Sequence, residues 1–257
     1  MLRLKSIVFV SLSIIVLMGC RHASKTRYSI KPAFSNSLEM SFVKLPPGAF
    51  IMGKEGTPLS SPTHKVKLSG FFMMTTEVTN KQFESFMKIK RPKYSELDNM
   101  PVMNVSRSEI DQFITWLSKR DNRRYSLPTE AQWEYAARSG LKDSDYPWGN
   151  KYENGRANIG GSLSLETAKA VSVGQFEPNT YGLFDMCGNA GEIVMDSYYD
   201  YSKNSLVDPR AKPPIGDEDG IVRGLGINDY FPQVWFRSPM DPASREYPYG
   251  FRLVVNE

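Results

Sequence analysis

Between Gly140 and Gly250 the chain carries almost no hydrophobic periodicity; the stretch is rich in Gly, Pro, Asn, Asp and aromatic residues, with few runs long enough for a helix or strand. A loop-dominated segment of that length is uncommon in a compact domain, and backbone ladders alone do not order it. Buried aromatics, paired arginines and bound cations are the devices available. Trp148, Trp235, Tyr198 and Tyr199 supply the first, and Trp133 stands just upstream.

The preceding residues are better patterned. Phe42 to Leu45 and Ala49 to Met52 flank Pro46-Pro47-Gly48 and read as two short strands around a turn. Val66, Leu68 and Phe71-Phe72 suggest a further strand, which leads to Thr79 or Asn80 as the cap of a helix through Phe83, Phe86 and Met87. Ser106 and Glu109 match a capping box, with Ile110, Phe113, Ile114 and Leu117 at helical spacing behind them, and that helix is expected to end before Asp121-Asn122. Thr129 and Gln132 make the same pair for a third helix, which closes at Gly140 after Arg138.

The first twenty residues stand apart. Arg3 and Lys5 precede an uncharged run from Ile7 to Met18, too short to span a bilayer, and Gly19-Cys20 follows. A basic start followed by a short apolar run is the pattern of an export signal. Leu17-Met18-Gly19-Cys20 resembles the lipobox of bacterial lipoproteins, which implies a signal peptide over 1–19 and a lipid on Cys20; an ordinary signal with a chance cysteine is the plain alternative. The residue after Cys20 is Arg21, not the aspartate of inner-membrane retention. The expected location is therefore the bacterial envelope, lipid-anchored, with the outer membrane favoured over the inner. Residues 20–39 are polar and aperiodic and read as the lipidated cysteine and a flexible tether, leaving 40–257 as the folded domain.

The formal charge of +4 invites a nucleic-acid reading until the charges are placed. Six basic residues fall within 1–39 against Glu39 alone, so 26 basic and 27 acidic residues remain in 40–257. No nucleic-acid partner is expected from a domain so balanced.

Chemistry is limited by count as well. Two cysteines and two histidines cannot build zinc quartets, disulfide scaffolds or multi-histidine iron sites. Cys187 is the one thiol of the domain, and no local motif links it to His64. A buried structural cysteine is the plainer reading than a nucleophile, which would want a cation beside it. His64 reads as structural or surface, and Asp217-Glu218-Asp219 as a solvated turn.

Ser126-Leu127-Pro128-Thr129-Glu130-Ala131-Gln132-Trp133-Glu134-Tyr135-Ala136-Ala137-Arg138 resembles the signature helix of the formylglycine-generating enzyme, or sulfatase-modifying factor, family. Other blocks follow the family order: Glu77-Val78-Thr79-Asn80, Tyr146-Pro147-Trp148-Gly149-Asn150, Tyr181-Gly182-Leu183-Phe184-Asp185-Met186, Gly188-Asn189, Val222-Arg223-Gly224 and Gly250-Phe251-Arg252-Leu253. The resemblance spans about 42–254. It implies a single α+β domain of the C-type-lectin-like kind with little regular secondary structure.

The oxidising members of that family hold copper on two cysteines between the Arg-Gly segment and the final Gly-Phe-Arg, because soft Cu(I) prefers thiolates. Residues 188–257 contain no cysteine, so no copper is expected. The resemblance further implies a calcium site using the side chains of Asp185 and Glu192 and the carbonyls of Gly188 and Ala190, hard oxygen donors suited to that ion. Solvated loop acids are the alternative, and Gly191 and Ile193 stand where the family usually has tryptophans. A second family site near Asn158-Ile159 lacks an evident acidic partner, Glu166 being unaligned. Arg237 and Arg252 look like the family's structural arginines. The implied role is a non-catalytic binding, assembly or accessory lipoprotein serving secretion, motility or maturation machinery, with a protein or glycan partner in the envelope. The alternative is a protein-modifying enzyme, related to the oxidase or to pyoverdine-maturation factors, that works without the cysteine pair.

Overall fold

A computed structural model of the chain describes residues 31–88, 97–159, 170–209, 219–225, 233–245 and 248–257. In chain order it begins with β1 (Phe34–Ser35), β2 (Ser41–Leu45), β3 (Gly48–Met52), β4 (His64–Leu68) and β5 (Phe71–Met74). The helices α1 (Asn80–Met87), α2 (Arg107–Asp121) and α3 (Glu130–Arg138) follow. The chain closes with β6 (Gly191–Ser197), β7 (Leu206–Val207), β8 (Gly220–Arg223), β9 (Arg237–Met240), β10 (Tyr249–Gly250) and β11 (Val254–Asn256). The strands make three small sheets, ordered β1-β2-β5-β11, β10-β6-β8-β9 and β3-β4-β7. Three short helices and small sheets linked by long loops are an α+β arrangement of low regular content, with one domain.

Each helix starts on a reciprocal capping box: Thr79 with Gln82, Ser106 with Glu109, and Thr129 with Gln132. Each ends on a left-handed residue, Lys88, Asn122 or Ser139. Asp121 belongs to α2, one residue beyond the expected end, because Asn122 tolerates the left-handed conformation that stops a helix.

Two expectations about strands change. The segments either side of Pro46-Pro47 do not pair as a hairpin: β2 joins β5, whereas β3 joins β4. The run from Val66 to Phe72 likewise divides at Ser69-Gly70, and its halves enter different sheets. Loop residues thus act as corners that send consecutive strands to separate layers. Ordered structure also begins inside the stretch read as tether, because Phe34 pairs with Phe42 and stacks on its ring at 4.7 Å. Asn36 Oδ1 accepts the backbone N–H of Leu38 and of Met40, closing the turn that makes this pairing local.

Every residue of α3 is buried, so its polar side chains must find partners inside. Glu130, Glu134 and Arg138 follow one another at four-residue steps on one face. Arg138 Nε donates to Glu134 Oε1 at 2.9 Å, and Arg223 of β8 donates to Glu134 Oε2 at 2.6 Å and to Glu130 Oε1 at 3.1 Å. Arg237 of β9 takes Glu130 with Nε at 2.7 Å and Nη2 at 2.9 Å. The helix is thereby joined to β8 and β9 by a ladder of buried ion pairs. Gly224 lets this contact close: its φ is +72°, and a Cβ there would meet Trp133 Cζ2 at 2.8 Å. Trp133 packs with Met52, Val66, Leu183, Val194 and Ile221 in one core cluster, while Phe113, Phe83 and Phe251 anchor another.

Candidate functional site

The loop from Asp185 to β6 is brought against β5, the N-terminal end of α1 and the Gly250–Leu253 segment. Val78 N donates to Phe251 O, and Phe184 N to Thr75 O. These backbone bonds set four side chains together. Glu192 is buried, with Oε1 accepting Arg252 Nη2 at 2.6 Å and Oε2 accepting Arg252 Nε at 2.7 Å. Trp133 Nε1 adds a third donor to Glu192 Oε2 at 2.9 Å. Arg252 completes its set on the carbonyls of Phe184, Met74 and Thr75.

Asp185 lies beside this pair, with φ +56° and Oδ2 accepting Gly174 N at 2.7 Å. Its Oδ1 is buried without a partner among the described residues. Burial lifts its carboxyl to about 6, the Gly174 bond and the Arg252 charge opposing the rise. Glu77, just before α1, is fully buried and in side-chain contact with Asp185. Glu77 Oε1 accepts Asn189 Nδ2 at 3.1 Å, whereas Oε2 has no partner among the described residues. Burial, then the neighbouring Asp185 charge, hold Glu77 well above the usual carboxylate range.

The other expected calcium donors are backbone carbonyls. Ala190 N donates to Gly188 O at 2.9 Å, a tight turn that leaves Gly188 O a second lone pair. Asn158 O accepts Asn189 N, and Asn158 Nδ2 lies 3.4 Å from Asn189 Oδ1, so Asn158 reaches the same loop. Among the described residues no group of three or more His, Cys, Asp or Glu side chains is arranged to hold a metal ion. The side-chain partner of Asp185 is the Glu77 carboxyl, whereas both oxygens of Glu192 are taken by Arg252. Glu166 and Cys20 lie outside the described residues, as do Asp217 and Glu218.

Cys187 is buried among Pro147, Trp148, Met186 and their neighbours, and burial pushes its thiol pKa strongly up. A thiol so placed is held in its neutral, weakly nucleophilic form. His64 is buried too, with its ring edge-on to Tyr201 at 4.7 Å. Arg237 sits among the rings of Tyr198, Tyr199 and Tyr201 at 4.7, 5.3 and 4.2 Å, besides its bidentate bond to Glu130. A third buried arginine, Arg223, escapes the sequence reading, as do Glu77, Glu130 and Glu134. A signal existed for two of them: Glu130 and Glu134 stand at a four-residue step in a helix that also carries Ala131, Trp133, Ala136 and Ala137, a composition suited to burial.

The Sulfatase-modifying factor enzyme 1-like domain family matches residues 29–257. The formylglycine-generating enzyme of Streptomyces coelicolor is 30% identical over 287 residues, covering 82% of this chain and 88% of that protein. The serine/threonine-protein kinase pkn1 of Chlamydia pneumoniae is 31% identical over 242 residues, covering 81% of this chain but 37% of the relative, so the chain spans well under half of that protein. Treponema denticola variable protein 1 superposes with a TM-score of 0.74 at 23% identity, covering 88% of this chain and 99% of its own. With its signature helix, its Arg-Gly segment and its Gly-Phe-Arg terminus all in place, the chain belongs to the sulfatase-modifying factor family.

Proposed function

We propose that the chain is an envelope-anchored lipoprotein whose sulfatase-modifying-factor-like domain serves as a binding or assembly module, not as an oxidase. The observation that carries this reading is Cys187: the single thiol of the domain is buried at 2% exposure and has no second cysteine to share a copper ion. Burial also holds the thiol in its neutral form, which disfavours the thiolate that a nucleophilic mechanism needs. The lipobox-like Leu17-Met18-Gly19-Cys20 supports attachment to the membrane through lipid on Cys20, with the outer membrane as the home leaflet. A folded domain with one more acidic than basic residue favours a protein or glycan partner over nucleic acid. Service to secretion, motility or maturation machinery fits an anchored domain of this kind.

Calcium has a structural part in this reading. Asp185, with the carbonyls of Gly188 and Ala190, would hold it, and the ion would place a positive charge beside the buried Asp185 carboxyl. It ties the loop down and takes no part in any reaction.

Mild crosslinking of the anchored protein in intact cells, followed by purification, tests the function. Recovery of one stoichiometric envelope partner, lost when the domain is deleted, is the expected result. No partner together with oxidation of a cysteine-containing peptide by the purified chain overturns it.

A further inference from the structure

β3 is an end strand: β4 pairs with one of its sides, and no strand pairs with the other among the described residues. Every second residue of a strand turns its N–H and C=O to the same side, so the open side of β3 carries backbone donors and acceptors free to pair. Sheet edges are commonly blunted by a charge, a proline or a bulge, and Gly48-Ala49-Phe50-Ile51-Met52 has none of these. Ala49 and Ile51 are exposed.

Beside this edge lies a hollow of about 460 Å³. Its walls are aromatic: the Tyr135 ring centre lies 5.6 Å from that of Phe50 and 5.9 Å from that of Tyr181. Lys65 and Lys142 stand at the rim, both exposed and neither in an ion pair among the described residues. Arg138 also borders the hollow, but its guanidinium is spent on Glu134, Gly53 O and Ser144 O. Asp143 is the one acid of the lining. Lys67, opposite Ala49 in the ladder, is exposed and adds a further positive charge to the outer face.

We propose that the open edge of β3 takes an extended, acidic segment of another protein as a fourth strand of the β3-β4-β7 sheet. Successive side chains of such a strand point to opposite faces. Those on the Phe50 side enter the aromatic hollow, and those on the Ile51 side come alongside Lys65, so the segment that fits alternates apolar with acidic residues. A lipid surface uses neither the backbone groups of an edge nor a hollow beside it. The chain's own N-terminal stretch, with Arg21, Lys25 and Arg27, repeats the charge of the rim, as does a second copy of the domain. The proposal rests on the binding-module reading and adds to it the surface used and the chemistry of the partner.

Fluorescence anisotropy of the full chain, held in detergent, with a labelled octapeptide alternating Glu with Val or Phe tests this. Wild type binds that peptide, binds its Lys-for-Glu counterpart weakly, and does not bind the acidic peptide once its backbone is N-methylated, because methylation removes the donors that strand addition needs. Lys65→Glu with Lys142→Glu lowers affinity for the acidic peptide roughly tenfold or more and raises it for the Lys peptide. The melting temperature of that double variant stays at the wild-type value, both side chains being exposed. Equal binding of the N-methylated peptide, or no effect of the double variant, overturns the proposal. So does a wild-type dimer in sedimentation that the double variant abolishes, or binding to phosphatidylglycerol vesicles without binding to the peptide. Crosslinking in cells separates this site from the function: a partner recovered equally with wild type and double variant leaves the binding role standing and removes the β3 edge from it. No partner from either, with no binding of the peptide, removes both.

Discussion

Arg252 grips both oxygens of Glu192, at 2.6 and 2.7 Å, with the two residues at 0% and 1% exposure. The pair ties the Gly250–Leu253 segment to the start of β6 and, through Arg252 Nη2 on Phe184 O, to the loop that leads into β6. The bond reinforces the two-residue β10–β6 ladder, in which Gly250 stands opposite Glu192.

Removing one partner therefore leaves a charge buried alone. Arg252→Met is expected to cost about 3–5 kcal/mol, the typical penalty for breaking a buried pair, and Arg252→Met with Glu192→Met together is expected to cost less than the single change. Urea denaturation of wild type, single and double variants measures this. A single variant within about 1 kcal/mol of wild type would mean that the pair is not part of the folded state.

Asp196 of β6 caps α3 by accepting Glu130 N at 2.6 Å, and it is almost wholly buried. Burial, and next the Glu130 charge, raise its carboxyl from 3.8 to about 7, against the pull of the Glu130 N–H and of Arg237. The folded state thus holds a proton that the unfolded chain releases, so this group's stabilisation is complete below about pH 4 and declines as pH rises toward 7. Asp196→Asn should flatten that decline. Unfolding free energies measured by urea at several pH values between 4 and 8 report it, and an equal slope in the variant would show that other carboxyls, Glu77 and Asp185 among them, carry the whole effect.

Membrane attachment makes a separate prediction. Cys20→Ser should move the protein from the membrane pellet to the soluble fraction and abolish labelling by radioactive palmitate. A variant that stays in the pellet unlabelled would instead indicate an uncleaved anchor, the ordinary-signal alternative.

The parts of this fold legible in the sequence are those governed by neighbours a few residues apart. Ser106 with Glu109 and Thr129 with Gln132 are local bargains between a side chain and a helix end, and the structure makes both capping boxes. The order of family blocks likewise marks the domain, which the family model matches over residues 29–257. What depends on distant pairing was hidden. Nothing near Pro46 says that β2 and β3 part into separate sheets. Arg223 reads as one residue of an Arg-Gly motif until the fold carries it to Glu130 and Glu134. In the candidate site the family resemblance implies that Asp185 and Glu192 act together, whereas Glu192 turns to Arg252 and the acid in contact with Asp185 is Glu77. Spacing along a loop fixes which residues are near; burial and competing donors decide which oxygens are free.

The proposed binding role excludes cysteine oxidation by this domain. Incubating the purified chain with Cu(I), oxygen, a thiol reductant and a peptide carrying a sulfatase-type cysteine, then reading the peptide by mass spectrometry, tests it directly. The expected result is an unchanged peptide, and a native Cys187 that iodoacetamide labels only after the protein is unfolded. Conversion of the peptide cysteine to an aldehyde, at a rate that rises with the amount of this chain, would contradict it.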